Sequence, residues 1–534
     1  MKKRLCALTA LLMSAVMLLT GCSSSGNGGG SGDAEVLRYC ITSDLTALDP
    51  AFAYDGPTMA VMLQVSEGVM ALNPEGHVVP CLAKEAKRVD STTYVYTIRD
   101  DVTFSDGTPM TMEDVLYSLE RHRDPQVGSY LAWMYDNVDE IKQSGDWELT
   151  ITLHEPDACW PYVLATAAGH VIKKDYCEEK GEDFGSPAGG VIATGPYVVE
   201  NWAVGSGVTL QYNENYWDKS LGEPDFKTVE YSIISEDTTR AAAIKSGQVD
   251  FDIMIPGGLY EEISASENAY TKIKPSNNTL FLAFNCAREP FTDVNVRRAI
   301  ACAIDKQALQ DNVVKEAATM ANMLPNGPSL FTFEKESWEA YAAGAEDYGY
   351  DMERAREYLA QSGYPDGFEV TLLVDEQNMY NAIALTIQQS LAELGITVNI
   401  QRITQDELIA IEFGGQMDGD DRNYDMALFE WEADWPDPSG NLMGIFNSAF
   451  LGEGGTNFPA YQNAKVDELL NAQAVIEDEA QRTQYLQQAL DIIIDEAPVV
   501  PILYSNYISA YHNRIADSFD FITWCCFVKN MKLK

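Results

Sequence analysis

Apolar positions along this 534-residue chain repeat with two different periods, and each period marks an element. In TTYVYTIRDDVTFSDGTPMTMEDVLYSLERH the apolar side chains Tyr94, Tyr96 and Ile98 fall on every second residue, which buries one face of a strand. Asp106-Gly107 then signals a turn, and Thr111, three residues before Asp114, predicts a capped helix start. WELTITLHEP alternates again, with Leu149, Ile151 and Leu153 pointing inward. These pieces predict an α/β layer early in the chain. Farther on, residues 368–374 (FEVTLLV) read as a strand, 382–394 (AIALTIQQSLAEL) as an amphipathic helix stopped by Gly395, and 396–400 (ITVNI) as the next strand. A strand, helix and strand in that order predict a parallel pair, so the sheet is expected to be at least partly parallel.

The first 21 residues depart from this pattern. Lys2, Lys3 and Arg4 precede an apolar run from Leu5 to Leu19, too short to span a bilayer as a helix. LTGC, ending at Cys22, resembles the bacterial lipobox, whose cysteine becomes an acylated N-terminus. Residues 1–21 are therefore expected to be a lipoprotein signal peptide and 22–33, rich in Gly and Ser, a flexible tether. Cys22 is the expected lipidation site and membrane anchor.

The formal net charge is −45, and the leader carries only positive side chains, so the remainder is more acidic still. Such a surface excludes a basic nucleic-acid footprint and weakly favours cationic or zwitterionic ligands. Ten cysteines include Cys6 and Cys22, and the other eight are scattered apart from the vicinal Cys525-Cys526, without zinc-ligand spacing. No metal or cofactor is expected. Five histidines, with no H-E-x-x-H, G-x-S-x-G or phosphate-loop motif, leave no catalytic constellation, and the chain is expected not to be an enzyme. The acidic run MDGDDRNYD (417–425) lacks the ligand alternation of a calcium loop and is expected to be a solvated loop.

Seven segments in one order then carry a resemblance: LDPAFAYD, IRDDVTFSDGTPMTMEDVLYSLERH, ATGPYVVENWAVGSGVTLQYNENYW, AAAIKSGQVDFDI, FLAFNCAREPFTDVNVRRAIACAIDKQAL, YDMALFEWEADWPDP and EAPVVPILYSNYISAYHNRI. Together they resemble the bacterial extracellular solute-binding proteins of family 5, the oligopeptide- and dipeptide-binding class serving ABC importers. The family often has His where Ser105 stands and Ala where Met112 stands. The resemblance implies a two-lobed α/β clamp of the large periplasmic-binding-protein type (type II), with mixed sheets flanked by helices and an extra subdomain. Lobe I is expected from 34–74, 192–277 and 499–534, its extra subdomain from 75–191, and lobe II from 278–498. The implied partners are a peptide ligand, ABC permease subunits with their cytoplasmic ATPases, and the membrane through the lipid anchor, with the protein itself a monomer.

The same resemblance places the site. In YDMALFEWEADWPDPSGN the W-x-x-D pattern falls on Trp431 and Asp434, and the family's aspartate pairs with the ligand's α-ammonium. The chemistry stands without the analogy, because a carboxylate shielded by indoles such as Trp431 and Trp435 holds a cation more strongly than an exposed one. Pro436 and Pro438 restrict the loop around Asp437. These aspartates can equally cap turns, and the tryptophans can equally fill the core. Glu432 lies in the same wall. Tyr54, Asp55 and Gly56 match the segment that runs along a bound peptide, and Tyr130 lies where the extra subdomain closes one end or simply packs at the surface. The position three before the pattern's tryptophan, an arginine in one relative, is Leu428 here, so the ligand carboxylate has no assigned partner. Oligosaccharides, opines and nickel chelates bind to the same fold and remain alternatives, as does a surface sensor or adhesin.

Overall fold

The computed structural model describes residues 35–220, 222–376, 378–413, 424–452, 455–517 and 526–534. Cys22, the leader, the tether, Cys525 and nearly all of the 417–425 run lie outside them. Among the described residues an eleven-stranded mixed sheet has ten strands in the order Thr397–Ile403, Glu369–Asp375, Met426–Glu432, Ala269–Phe284, Val499–His512, Phe251–Asp252, Val36–Ile41, Thr228–Ile233, Gly207–Tyr212 and Tyr197–Ala203, with Ala318–Met320 added beside Val499–His512. A separate antiparallel sheet runs Ala83–Arg88, Thr93–Ile98, Glu148–Leu153 and Val138–Gly145.

Local sequence explains these elements. Tyr94, Tyr96 and Ile98 are buried, as are Leu149, Ile151 and Leu153, so the alternation puts one face of the antiparallel sheet inward. Gly107 adopts φ +82° in the turn. Thr111 caps the helix Met112–Glu120 in a full capping box with Asp114, which also takes the backbone N–H of Lys174. The helix Asn378–Ala392 begins four residues earlier than its periodicity suggests, and Gly395, at φ +78°, turns the chain into Thr397–Ile403. That strand lies parallel to Glu369–Asp375, as the strand-helix-strand order requires.

Two large hydrophobic cores result. One draws its side chains from residues 280–503 and the other from 37–251 with 511–531; the 75–191 segment shares the latter. Two long antiparallel strands run from one core to the other: Leu280 to Phe284 and Val499 to Leu503 lie in the first, Tyr511 in the second, and Ala269, Ile508 and Ala510 in a small cluster besides. Their register is interrupted between Pro275 and Thr279. The expected sheets and helices of the clamp are thus in place, and the described Cys40, Cys81, Cys159, Cys177, Cys286 and Cys302 are thiols.

Candidate functional site

The strand Met426–Glu432 leaves the 280–503 core and delivers the loop 433–439. That loop is anchored through Asp437, which is 1% exposed. Arg482, from the helix Glu479–Glu496, approaches both of its oxygens at 3.0 and 3.1 Å, and the backbone N–H of Ser439 adds a bond of 2.8 Å. Gln473 holds the guanidinium in turn at 2.9 and 3.0 Å. The Tyr162 and Thr332 hydroxyls both donate to the Pro436 carbonyl, at 3.2 and 2.8 Å. Two prolines and a buried ion pair leave this loop little freedom, which suits it to hold a neighbouring side chain in place. Asp437 is thereby structural, the turn-anchoring alternative open in the sequence.

Asp434 is presented by this loop between two indoles that face opposite ways. Trp431 packs into the 280–503 core against Phe413 and Phe458, with ring centroids 5.8 and 6.4 Å away. Trp435 packs against the other core, stacked on Trp133 at 6.2 Å and Tyr162 at 6.4 Å. Between them the Asp434 carboxyl is pushed up to about 6, first by burial and then by the charge of Glu432, with the Tyr54 hydroxyl bond pulling the other way. Tyr54 comes from the side of the 37–251 core, in the segment leading into the helix Gly56–Val65. The Tyr54 side chain stands 60% exposed, and its hydroxyl rises to about 12 through desolvation against the acidic loop and the nearby Asp434 charge.

The remaining expected residues separate by role. Glu432 is exposed, accepts a hydrogen bond from Tyr507, and is raised by desolvation. Tyr130 stands 60% exposed, edge-on at 5.3 Å to Phe52, two residues before Tyr54, so it forms an aromatic lip beside that segment. Asp55 spends its oxygens on the Thr58 backbone N–H at 2.9 Å and the Thr46 hydroxyl at 2.8 Å, the geometry of a helix cap. Gly56 opens that helix, and a Cβ there would meet nothing within 4 Å. The structure therefore brings Tyr54, Glu432 and Asp434 together, with Trp431 and Trp435 behind them, while Asp55 and Gly56 set the backbone that carries Tyr54.

Sequence reasoning missed three acids beside this group. Glu430 shares the strand face of Glu432, two residues away, and accepts a bond from the Tyr380 hydroxyl. Glu412, the last residue of the helix Gln405–Glu412, is 5% exposed and its Oε1 has no hydrogen-bond partner. Burial raises both carboxyls, and each also feels the other acids around it. Asp375 ends the strand Glu369–Asp375 on the same side. The period-two pattern at 430 and 432 was a visible signal; Glu412, on an amphipathic helix, gave none. Among the described residues no group of three or more His, Cys, Asp or Glu is arranged to hold a metal ion, and no helix is long and apolar enough to cross a membrane.

Residues 77–452 match the family model for the middle part of bacterial extracellular solute-binding proteins, family 5. The chain belongs to that family. Among curated proteins, this family 5 chain is 29% identical over 487 residues to the glutathione-binding protein GsiB of Salmonella paratyphi A, covering 90% of this chain and 91% of that protein. Among solved structures, HbpA2 from Haemophilus parasuis superimposes with a TM-score of 0.81 at 22% identity, covering 93% of this chain and 100% of that one. The periplasmic binding protein DppA of Helicobacter pylori, in complex with the peptide STSA, superimposes with a TM-score of 0.74 at 23% identity over 93% of this chain and 98% of that one. These likenesses give the family 5 chain the two-lobed α/β clamp fold.

Proposed function

We propose that the protein captures a solute bearing a free ammonium, a short peptide foremost, between its two lobes and delivers it to the permease of an ABC importer, with Cys22 acylated to hold it at the outer face of the cell membrane. The observation that carries this reading is Asp434: a half-buried carboxylate on an immobilised loop, facing Tyr54 from the other lobe. Burying such a charge is costly unless a cation or donors answer it. In the structure the Tyr54 hydroxyl supplies one bond, and an ammonium placed there adds a full opposite charge. Trp133, Tyr130 and Trp435 offer aromatic surface for the side chains that follow. The acids around Asp434 disfavour a solute with more carboxylates than ammonium groups, so a zwitterionic or basic peptide fits better than glutathione, the ligand named for the Salmonella relatives.

The test is a calorimetric cycle of Asp434→Asn in the protein and N-acetylation of the peptide. Each change alone strands the partner charge, an expected loss of about 3–5 kcal/mol for a desolvated pair. Both together are expected to cost less than the sum. Strictly additive losses, or tight binding of an N-acetylated peptide by the unaltered protein, overturn the reading.

A further inference from the structure

We propose that the acidic end of the strand Met426–Glu432 is a second cation subsite, which selects solutes whose ammonium is followed by a further positive charge, such as peptides beginning with lysine, ornithine or arginine. The proposal rests on Asp434 as the receptor of the first ammonium and adds a specificity to it.

Four carboxylates follow one another here. Glu430 and Glu432 project from the same face of the strand, about 7 Å apart by strand geometry, and Asp434 follows two residues on, in the loop that leaves the strand, where it feels the Glu432 charge. Glu412 lies beside Glu430, packed in from the helix that ends there. Strand Glu369–Asp375 runs parallel to Met426–Glu432, so Asp375 and these glutamates all stand at the carboxyl ends of parallel strands, the edge where α/β sheets receive ligands.

The independent observation is Glu412. It is 95% buried by side-chain packing, yet its Oε1 meets no donor, and among the described residues no Lys or Arg pairs with Glu412, Glu430, Glu432 or Asp434. A buried oxygen without a donor is costly in a folded protein and is tolerated where a ligand completes it. The acidic file of Glu430, Glu432 and Asp434 has no counter-ion among the described residues, and a cation entering beside Glu430 would relieve it and approach the unmet Glu412 oxygen. The dimensions suit a basic side chain: an α-ammonium at Asp434 leaves an extended lysine side chain long enough to run back along the strand face toward Glu430, its methylenes over the Glu432 stem. Tyr380, 6% exposed and bonded to Glu430, fixes that carboxylate's orientation.

The test compares the dipeptides Lys-Ala, Nε-acetyl-Lys-Ala and norleucyl-Ala by calorimetry on the unaltered protein, then on Glu430→Gln and Glu412→Gln. A desolvated charge-assisted contact implies that Lys-Ala binds about tenfold or more tightly than either neutral analogue. Glu430→Gln is expected to bring that ratio near one, and Glu412→Gln to reduce it. Equal affinity of the three dipeptides on the unaltered protein overturns the subsite without any variant having to fold, as does a ratio that Glu430→Gln leaves unchanged. Failure of the Asp434 reading looks different: Nα-acetylation of Lys-Ala would cost nothing, and a lysine preference still abolished by Glu430→Gln would then support the cation subsite alone.

Discussion

Arg482 and Asp437, 45 residues apart in sequence, form a two-point ion pair buried on both sides, with side-chain exposures of 7% and 1%. The pair fastens the site loop to the helix Glu479–Glu496, and Ser439 and Gln473 complete its hydrogen bonds. A charge pair so enclosed becomes a liability when halved.

Arg482→Ala is accordingly expected to destabilise the protein by about 3–5 kcal/mol, since it strands the Asp437 carboxylate. Arg482→Lys, which keeps the charge but cannot span both oxygens, should recover only part of that loss. Denaturant unfolding measures both. Stability of Arg482→Ala within about 1 kcal/mol of the parent would contradict the loop-anchoring role.

Proton linkage gives a second expectation. The Asp434 carboxyl sits at about 6 in the free protein, above its ordinary value, so this group favours the folded state most below the ordinary carboxylate range and loses that contribution as pH rises through about 6. An ammonium ligand binds the ionised form and pulls the pKa down. Affinity should therefore fall below pH 6, and binding near pH 5.5 should release a proton, visible as a dependence of the calorimetric heat on the buffer's ionisation enthalpy. Zero proton release across pH 5–7 would place the ammonium elsewhere.

Two buried histidines act with the opposite sign. His170, 2.6 Å from the Ser66 hydroxyl, and His122, 2.8 Å from that of Ser129, are each held down at about 3 by burial. A depressed folded pKa contributes stability that is present above about 6.5 and lost as pH falls toward 3, at up to about 1.4 kcal/mol per pH unit for each residue. Thermal unfolding between pH 6.5 and 4 should show a steep loss, shallower in His170→Gln. Equal slopes for parent and variant would show that His170 titrates outside its pocket.

The anchor is tested separately. Cys22→Ser should remove acylation and move the protein from the membrane to the soluble fraction, without changing solute affinity. Unchanged detergent partitioning would remove the lipid anchor.

What the sequence disclosed was whatever depends on neighbours in the chain. The Thr111–Asp114 box, the alternation at Tyr94, Tyr96 and Ile98, and the strand-helix-strand unit ending at Gly395 are all set within a few residues, and their chemistry is visible as spacing. Asp434 was visible through its tryptophans. Arg482 was not, because a side chain that meets its partner from another helix leaves no local pattern. Trp431 and Trp435 were left open between shielding Asp434 and filling the core, and the two rings pack against different cores. Glu412 reads as a polar helix position, and its burial depends on the packing of its helix, which the local pattern does not show. Pro275 would ordinarily argue against a central strand, and it is accommodated where the ladder skips register.

The two lobes are joined through the middle of a hydrogen-bonded ribbon formed by Ala269–Phe284 and Val499–His512. A ribbon of this kind behaves as a leaf spring, stiff against stretching and shear but compliant to twist at the skipped rungs near Pro275. Any opening and shutting of the lobes would then be torsion about that seam, repeatable without melting a strand. Because each strand lends rungs to both halves, neither half can come apart without fraying the edge of the other, and heating should melt the molecule in one step.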